Sequence, residues 1–138
     1  MNKTGQQIED DIFGMVKTGP LASLVNGVVY KFGTRPRDSQ KEDIIVKFVE
    51  GFDGQIQDGT VVVNIYVPNV DSFPNGVFVR NITRLKAIEI AADAWVRTLT
   101  TGVSDYRFRL SHTIQTVEDF DINQHFVTIR LKFQLSTF

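Results

Sequence analysis

A helix followed by two strictly alternating strands fills the last third of the chain and constrains its fold more than any other feature. Helical periodicity runs from Ile82 to Leu99, with Leu85, Ile88, Ala92 (with Ala91), Trp95 and Leu99 on one stripe. The segment from Tyr106 to Thr116 then alternates. Tyr106, Phe108, Leu110, His112 and Ile114 fall on one face, and Arg107, Arg109, Ser111, Thr113 and Gln115 on the other. A second segment sets Val127, Ile129, Leu131, Phe133 and Leu135 against Phe126, Thr128, Arg130, Lys132 and Gln134. Period-two alternation of this length marks a sheet buried on one side only. Arg107, Arg109, Arg130 and Lys132 therefore lie on a face that core packing does not claim.

The rest of the chain supplies the partners of that sheet. Gln6 to Lys17 has the spacing of a helix, with Ile8, Ile12, Met15 and Val16 on its apolar stripe. Glu9, Asp10 and Asp11 lie in its first half, facing water, where the helix dipole favours acids. Gly19-Pro20 stops it, and a helical turn from Leu21 to Val25 follows. Gly27 to Phe32 is extended, and Gly33 to Asp43 is a polar loop made locally basic by Arg35, Arg37 and Lys41. Asp43 to Phe52 carries apolar residues on both faces, as a central strand covered at least in part on each side does. Asp53-Gly54 and Asp58-Gly59 are two hairpin signals close together, and Thr60 to Val67 is a strand that ends at Pro68.

Pro68 to Val79 is a connection punctuated by Pro and Gly, and loops of this length inside compact domains are usually functional or mobile. Asn81 or Thr83 caps the long helix and Gly102 stops it. Glu118, Asp119 and Asp121 form an acidic connection between the closing strands. The order predicts one α+β domain over residues 1–138, a mostly antiparallel sheet packed on one face by the long helix and the N-terminal helix. A chain of 138 residues suffices for one continuous core.

Composition narrows the function. Fifteen basic residues against sixteen acidic ones argue against overall electrostatic affinity for nucleic acid or anionic membrane. The absence of cysteine excludes disulfides and thiolate metal sites. The N-terminal stretch lacks the basic flank and apolar run of a signal peptide, and no apolar stretch approaches the roughly 20 residues that span a bilayer. The expectation is a protein made and kept in a cytoplasm unless it leaves as part of a larger particle.

Chemistry is hard to find. There is no phosphate loop, dinucleotide fingerprint or nucleophile elbow. His112 falls on the apolar face of its strand, the place of a packed histidine, and His125 starts a strand on the polar side. Neither has a partner at metal-ligand spacing. Glu9, Asp10 and Asp11 point in different directions around a helix, and the Glu118–Asp121 acids lack the pattern of a calcium loop. The chain reads as a non-enzyme without a cofactor or metal. Its eleven phenylalanines are the unusual entry in its composition. Phe48, Phe108 and Phe133 serve the core, whereas Phe52, Phe73 and Phe138 either pack their loops onto the core or form contact surface for a neighbouring subunit. The basic face has three readings: solvated cations, pairing with an acidic edge of a neighbouring copy such as Glu118 to Asp121, or DNA. Like charges directly opposite repel, so an acidic partner or anionic ligand is called for. Tyr106 and Phe108 lie opposite the arginines and so form no stacking platform for bases.

The succession of segments resembles the tail-completion or tail-terminator proteins of tailed bacteriophages. An opening helix is followed by TGPLASLVNGVVYKFG, then RPRDSQKEDIIVKFVEG leading into a strand, then DGTVVVNIYVPN. The helix VRNITRLKAIEIAADAWVRTL and a closing hairpin complete the order. The resemblance covers nearly the whole chain, in order and character rather than through an invariant motif. It implies a structural virion protein forming a ring, typically a hexamer, at the head-proximal end of a tail. There it would end tube growth and join the tail to the head connector. Partners implied are further copies of the chain, the tail tube and connector proteins, with passive DNA contact in the lumen and no membrane. Localisation would be the virion tail or neck, and the host cytoplasm during assembly. Another phage neck or connector ring protein, or a small ligand-binding α+β domain, remains open at this point. The assembly residues expected are Arg35, Arg37, Lys41, Phe52, Phe73, Arg107, Arg109, Arg130 and Lys132, with loops Thr34 to Lys41, Gly51 to Gly59 and Asn69 to Gly76.

Overall fold

A capping box starts the chain's first helix, α1 (Gly5–Lys17). Gln7 N–H donates to the Thr4 hydroxyl at 3.4 Å, while Thr4 N–H donates to the Gln7 side chain at 2.8 Å. The structure is a computed structural model that describes residues 2–99 and 105–136. After α1 come α2 (Pro20–Leu24), β1 (Val29–Lys31), β2 (Ile44–Phe52), β3 (Ile56–Pro68), α3 (Ile82–Leu99), β4 (Tyr106–Leu110), β5 (Gln115–Asp119) and β6 (Gln124–Ser136). The expected Gly102 stop and Phe138 lie outside the described residues. Asn81 caps α3, accepting from Arg84 N–H at 3.3 Å.

The sheet has six strands in the order β1-β2-β3-β6-β4, with β5 also on β6. Only the β1–β2 pair is parallel. This is the mostly antiparallel α+β architecture that the hydrophobic pattern requires. β3 and β6 are 13 residues each, so the central ladder is about 40 Å long at the usual rise of a strand. Cross-strand register puts Ile44 opposite Ile65, Val46 opposite Val63 and Phe48 opposite Val61. Val63 in turn meets Ile129, and Val61 meets Leu131. These residues share one face, against which α1 covers β1 and β2 while α3 crosses β3, β4, β5 and β6. Ile8, Ile12, Val16, Leu85, Ile88, Ala92 and Trp95 are the helical half of the core. Its stabilisation scales as about 25 cal/mol per Å² of apolar surface buried.

Several expectations change. The predicted strand from Tyr106 to Thr116 is two strands, because residues 111–114 stand opposite only Ile129 and Arg130. Two surplus residues must leave the ladder, and parity is preserved on either side of the jog. His112 is consequently exposed rather than packed, with Nδ1 2.9 Å from the Ser111 hydroxyl. His125 shares the parity of Val127, not the polar face. It is half-buried, with Nδ1 2.8 Å from Asn69 Oδ1. Glu118 and Asp119 are strand residues, paired with His125 and Gln124, so the connection shrinks to residues 120–123.

Only one of the two hairpin signals makes a turn. Asp58-Gly59 lies within β3, where Gly59 faces Gly51. A Cβ at Gly59 would come within 2.7 Å of the Gly51 Cα and strike the Glu50 carbonyl, so the glycine serves close strand approach. β2 is covered in part on its second face, as expected: Ile45 is half-buried, Val49 is exposed, and the register slips between Phe48 and Glu50. The α1 acids do more than face water. Asp11 accepts from the Tyr106 hydroxyl at 2.7 Å and from Lys3 Nζ at 2.5 Å, and Asp10 pairs with Lys31.

Candidate functional site

The face of the sheet turned away from the helices is built in rows across the strands. Phe52, Asp58, Gln134 and Arg107 align in one row, and Glu50, Thr60, Lys132 and Arg109 in the next. Lys47, Val62 and Arg130 make a third. No described helix covers this face, yet Val62 is only 7% exposed and Thr60 only 2%. Val62 stands between Lys47 and Arg130, and Thr60 between Glu50 and Lys132, residues of the kind whose hydrocarbon stems cover neighbouring surface.

The charge on this face is unbalanced from side to side. Arg109 stands directly opposite Lys132, a like-charged pair that costs the sheet some stability. Among the described residues, Arg109, Arg130 and Lys132 form no ion pair. Arg107 donates from Nη1 to the Tyr106 carbonyl at 2.9 Å. Glu50 and Asp58, not anticipated from the sequence, share the face with these cations. They lie on the β2–β3 side: Asp58 is two strands from the cations of β4 and one from Lys132 on β6, and Glu50 is three strands from β4, roughly 10 and 14 Å from β4 at ordinary strand spacing. A groove of about 300 Å³ runs between the two signs, lined by Glu50, Phe52, Asp58, Arg107, Arg109 and Lys132. Phe52 stands at its rim, 63% exposed.

The remaining predicted residues do not join this groove. Arg35 is not a surface residue: its side chain is 5% exposed and pairs with Asp43, whose own is 1% exposed. Arg35 Nε donates to Asp43 Oδ2 at 2.9 Å, and Nη2 donates to Gln124 Oε1 at 2.9 Å and to the Lys41 carbonyl at 3.2 Å. The guanidinium lies 4.5 Å from the Tyr66 ring centre. Asp43 also accepts from the Ser39 hydroxyl at 2.5 Å and Val28 N–H at 2.9 Å. Burial pushes the Asp43 carboxyl upward. The Ser39 hydroxyl, the Val28 amide and Arg35 together outweigh it and hold the carboxyl below its ordinary range.

This cluster fastens the 33–43 loop onto the end of the sheet. Gln124 Nε2 donates to the Ser39 carbonyl at 2.7 Å, and Arg84 of α3 clasps Glu42 through Nε at 2.7 Å. Arg37 and Lys41 are exposed on that loop. Sequence reading missed Asp43, Ser39 and Gln124. An isolated Arg, Ser and Asp in a polar loop look like any solvated turn, and only Gln124, far along the chain, completes the set.

Phe73 is 77% exposed in the β3–α3 connection, far along the ladder from the groove. That connection is ordered by a Val70–Val79 bridge, and Asp71 accepts from Asn75 and Gly76 N–H at 3.1 and 2.8 Å. Phe120 was also missed. At 81% it is the most exposed large apolar side chain among the described residues, and it occupies the β5–β6 turn between Asp119 and Asp121.

Among the described residues no group of three or more His, Asp or Glu side chains is arranged to hold a metal ion. No described helix is long and apolar enough to cross a membrane. The chain matches no protein-family model, and no curated protein matches its sequence.

Proposed function

We propose that this protein is a structural assembly subunit, forming the ring that closes the head-proximal end of a bacteriophage tail and joins it to the head connector. The observation that carries this reading is the cluster of Arg109, Arg130 and Lys132 on the outer sheet face. Arg109, Arg130 and Lys132 stand on a rigid sheet without acidic partners, and the fold gains nothing from their proximity. The exposed Phe52, Phe73 and Phe120 are of the aromatic type enriched at interface centres and would serve as anchors there. The order of elements, from an opening helix through a Val-rich strand and one long helix to closing strands, is the order that tail terminators resemble.

A ring in which one surface of each copy meets a different surface of the next needs two unlike patches per subunit. The tail tube and the connector would occupy the two rims, and DNA would pass through the lumen. The ring would be hexameric and resident in the virion, with no membrane or cofactor involved. Native mass spectrometry of the purified chain, alone and with tail-tube protein, tests the reading. A closed oligomer in either sample is expected. A chain that stays monomeric in both, and instead binds a small molecule, would overturn it.

A further inference from the structure

Among the described residues, Arg109, Arg130 and Lys132 on the outer sheet face form no ion pair, and the same holds for two acids at the molecule's other end. Glu118 near the end of β5 and Asp121 in the β5–β6 turn, both exposed, lie on either side of Phe120 in sequence. Neither acid forms an ion pair among the described residues. The turn is held firmly. Asn123 adopts a left-handed conformation (φ 54°), one that asparagine tolerates well. Asn69 Nδ2 donates to Asn123 Oδ1 at 3.1 Å, Asp121 N–H to Asp119 Oδ1 at 3.2 Å, and the Tyr66 hydroxyl to Asp119 Oδ2 at 3.3 Å. An exposed phenylalanine is thus presented on a fixed support, with little entropy left to lose on docking.

The groove offers the complementary shape and charge. Arg107, Arg109 and Lys132 form one wall and Phe52 the rim. Within one molecule the turn cannot reach the groove. Along β6 the turn ends beside Gln124, whereas the groove lies at Lys132, about 25 Å further along a stiff strand. Only another copy can bring the two together.

We infer that the β5–β6 turn of one copy docks in the outer-face groove of the next. Phe120 lies against Phe52, and the turn's carboxylates meet Arg107, Arg109 and Lys132. This inference rests on the ring reading and names the joint within it. Glu50 and Asp58 on the far wall repel the acidic turn and press it toward β4 and β6, which fixes its position across the groove. The contact is heterologous, so its repetition closes a ring or runs on as a filament. Phe120 is the apolar anchor, and the charges around it select the partner surface.

Charge reversal tests the joint on the full chain. Arg109→Glu with Lys132→Glu should convert the oligomer seen by native mass spectrometry into monomer with the thermal midpoint preserved. Glu118→Lys with Asp121→Lys should do the same. Combining all four reversals should restore the oligomer, because the joint is remade with its signs exchanged, and this also shows that each half still folds. Phe120→Ser should weaken assembly without restoring it in any combination. If the wild-type chain assembles and the reversals leave the oligomer intact, the joint is wrong and the ring reading survives. If the groove reversal leaves the oligomer intact but abolishes retention of a short DNA duplex, the groove holds nucleic acid and the proposal falls. If the wild-type chain stays monomeric with and without tail-tube protein, both fall together.

Discussion

Arg35 and Arg109 show how differently one fold can use the same side chain. Arg35 lies in a loop that reads as solvated, yet its side chain is buried and engages Asp43, Gln124 and the loop's own carbonyls. Arg109 lies on a strand, in the most regular part of the molecule, and faces Lys132 without forming an ion pair among the described residues. The irregular region has consumed its charge in holding itself together. The regular region has left its charge unspent. A cation's neighbours in sequence therefore say little about whether folding or a partner uses it.

That contrast breaks most sharply at Asp43. Asp43→Ala strands Arg35 in a buried site without its counter-charge and should cost about 3–5 kcal/mol, read as a drop in the urea midpoint. A loss smaller than about 1 kcal/mol would mean that the loop simply lifts off and rehydrates its arginine.

The acid limb of stability sharpens it next. The folded-state pKa of Asp43 is held below the unfolded value, so the unfolded chain binds the proton more readily. The stabilisation is fully present above the ordinary carboxylate range near pH 4 and fades as pH falls through the lower folded value. Asp43→Asn lacks this segment. Its deficit against the natural chain should therefore shrink as urea titrations move from pH 6 to about pH 3. A deficit constant with pH would remove Asp43 from the acid response.

The smallest effect belongs to the other region. Arg109→Thr removes one member of a like-charged cross-strand pair and keeps a good strand former. It should raise stability by a few tenths of a kcal/mol. A clear loss would show that Arg109 already has a role in the fold.

The sequence revealed what repeats and hid what converges. The α3 stripe through Leu85, Ile88, Ala92 and Trp95, and the alternation of β6, were legible because each residue's burial follows from its spacing. The break at residues 111–114 was not, because Tyr106 to Thr116 alternates without interruption. Only the register against β6 shows two residues too many. The groove was half legible. Arg107, Arg109 and Lys132 followed from parity, but Glu50 and Asp58 reached the same face through a register slip and a hairpin shorter than its glycines implied. The Arg35 cluster was illegible, since Gln124 is 89 residues away from its partner.

The jog between β4 and β5 bears on how copies can add to one another. An uninterrupted edge beside β6 would be a template on which any extended chain could lay another strand, without counting and without end. The surplus residues 111–114 cut that edge into two short runs, and the opposite edge is broken too, since β1 spans only three residues beside the slipped β2. Growth by strand addition is thereby discouraged at both margins. Side-chain surfaces, which fix both an angle and a partner, remain as the means by which a finite number of copies could find one another.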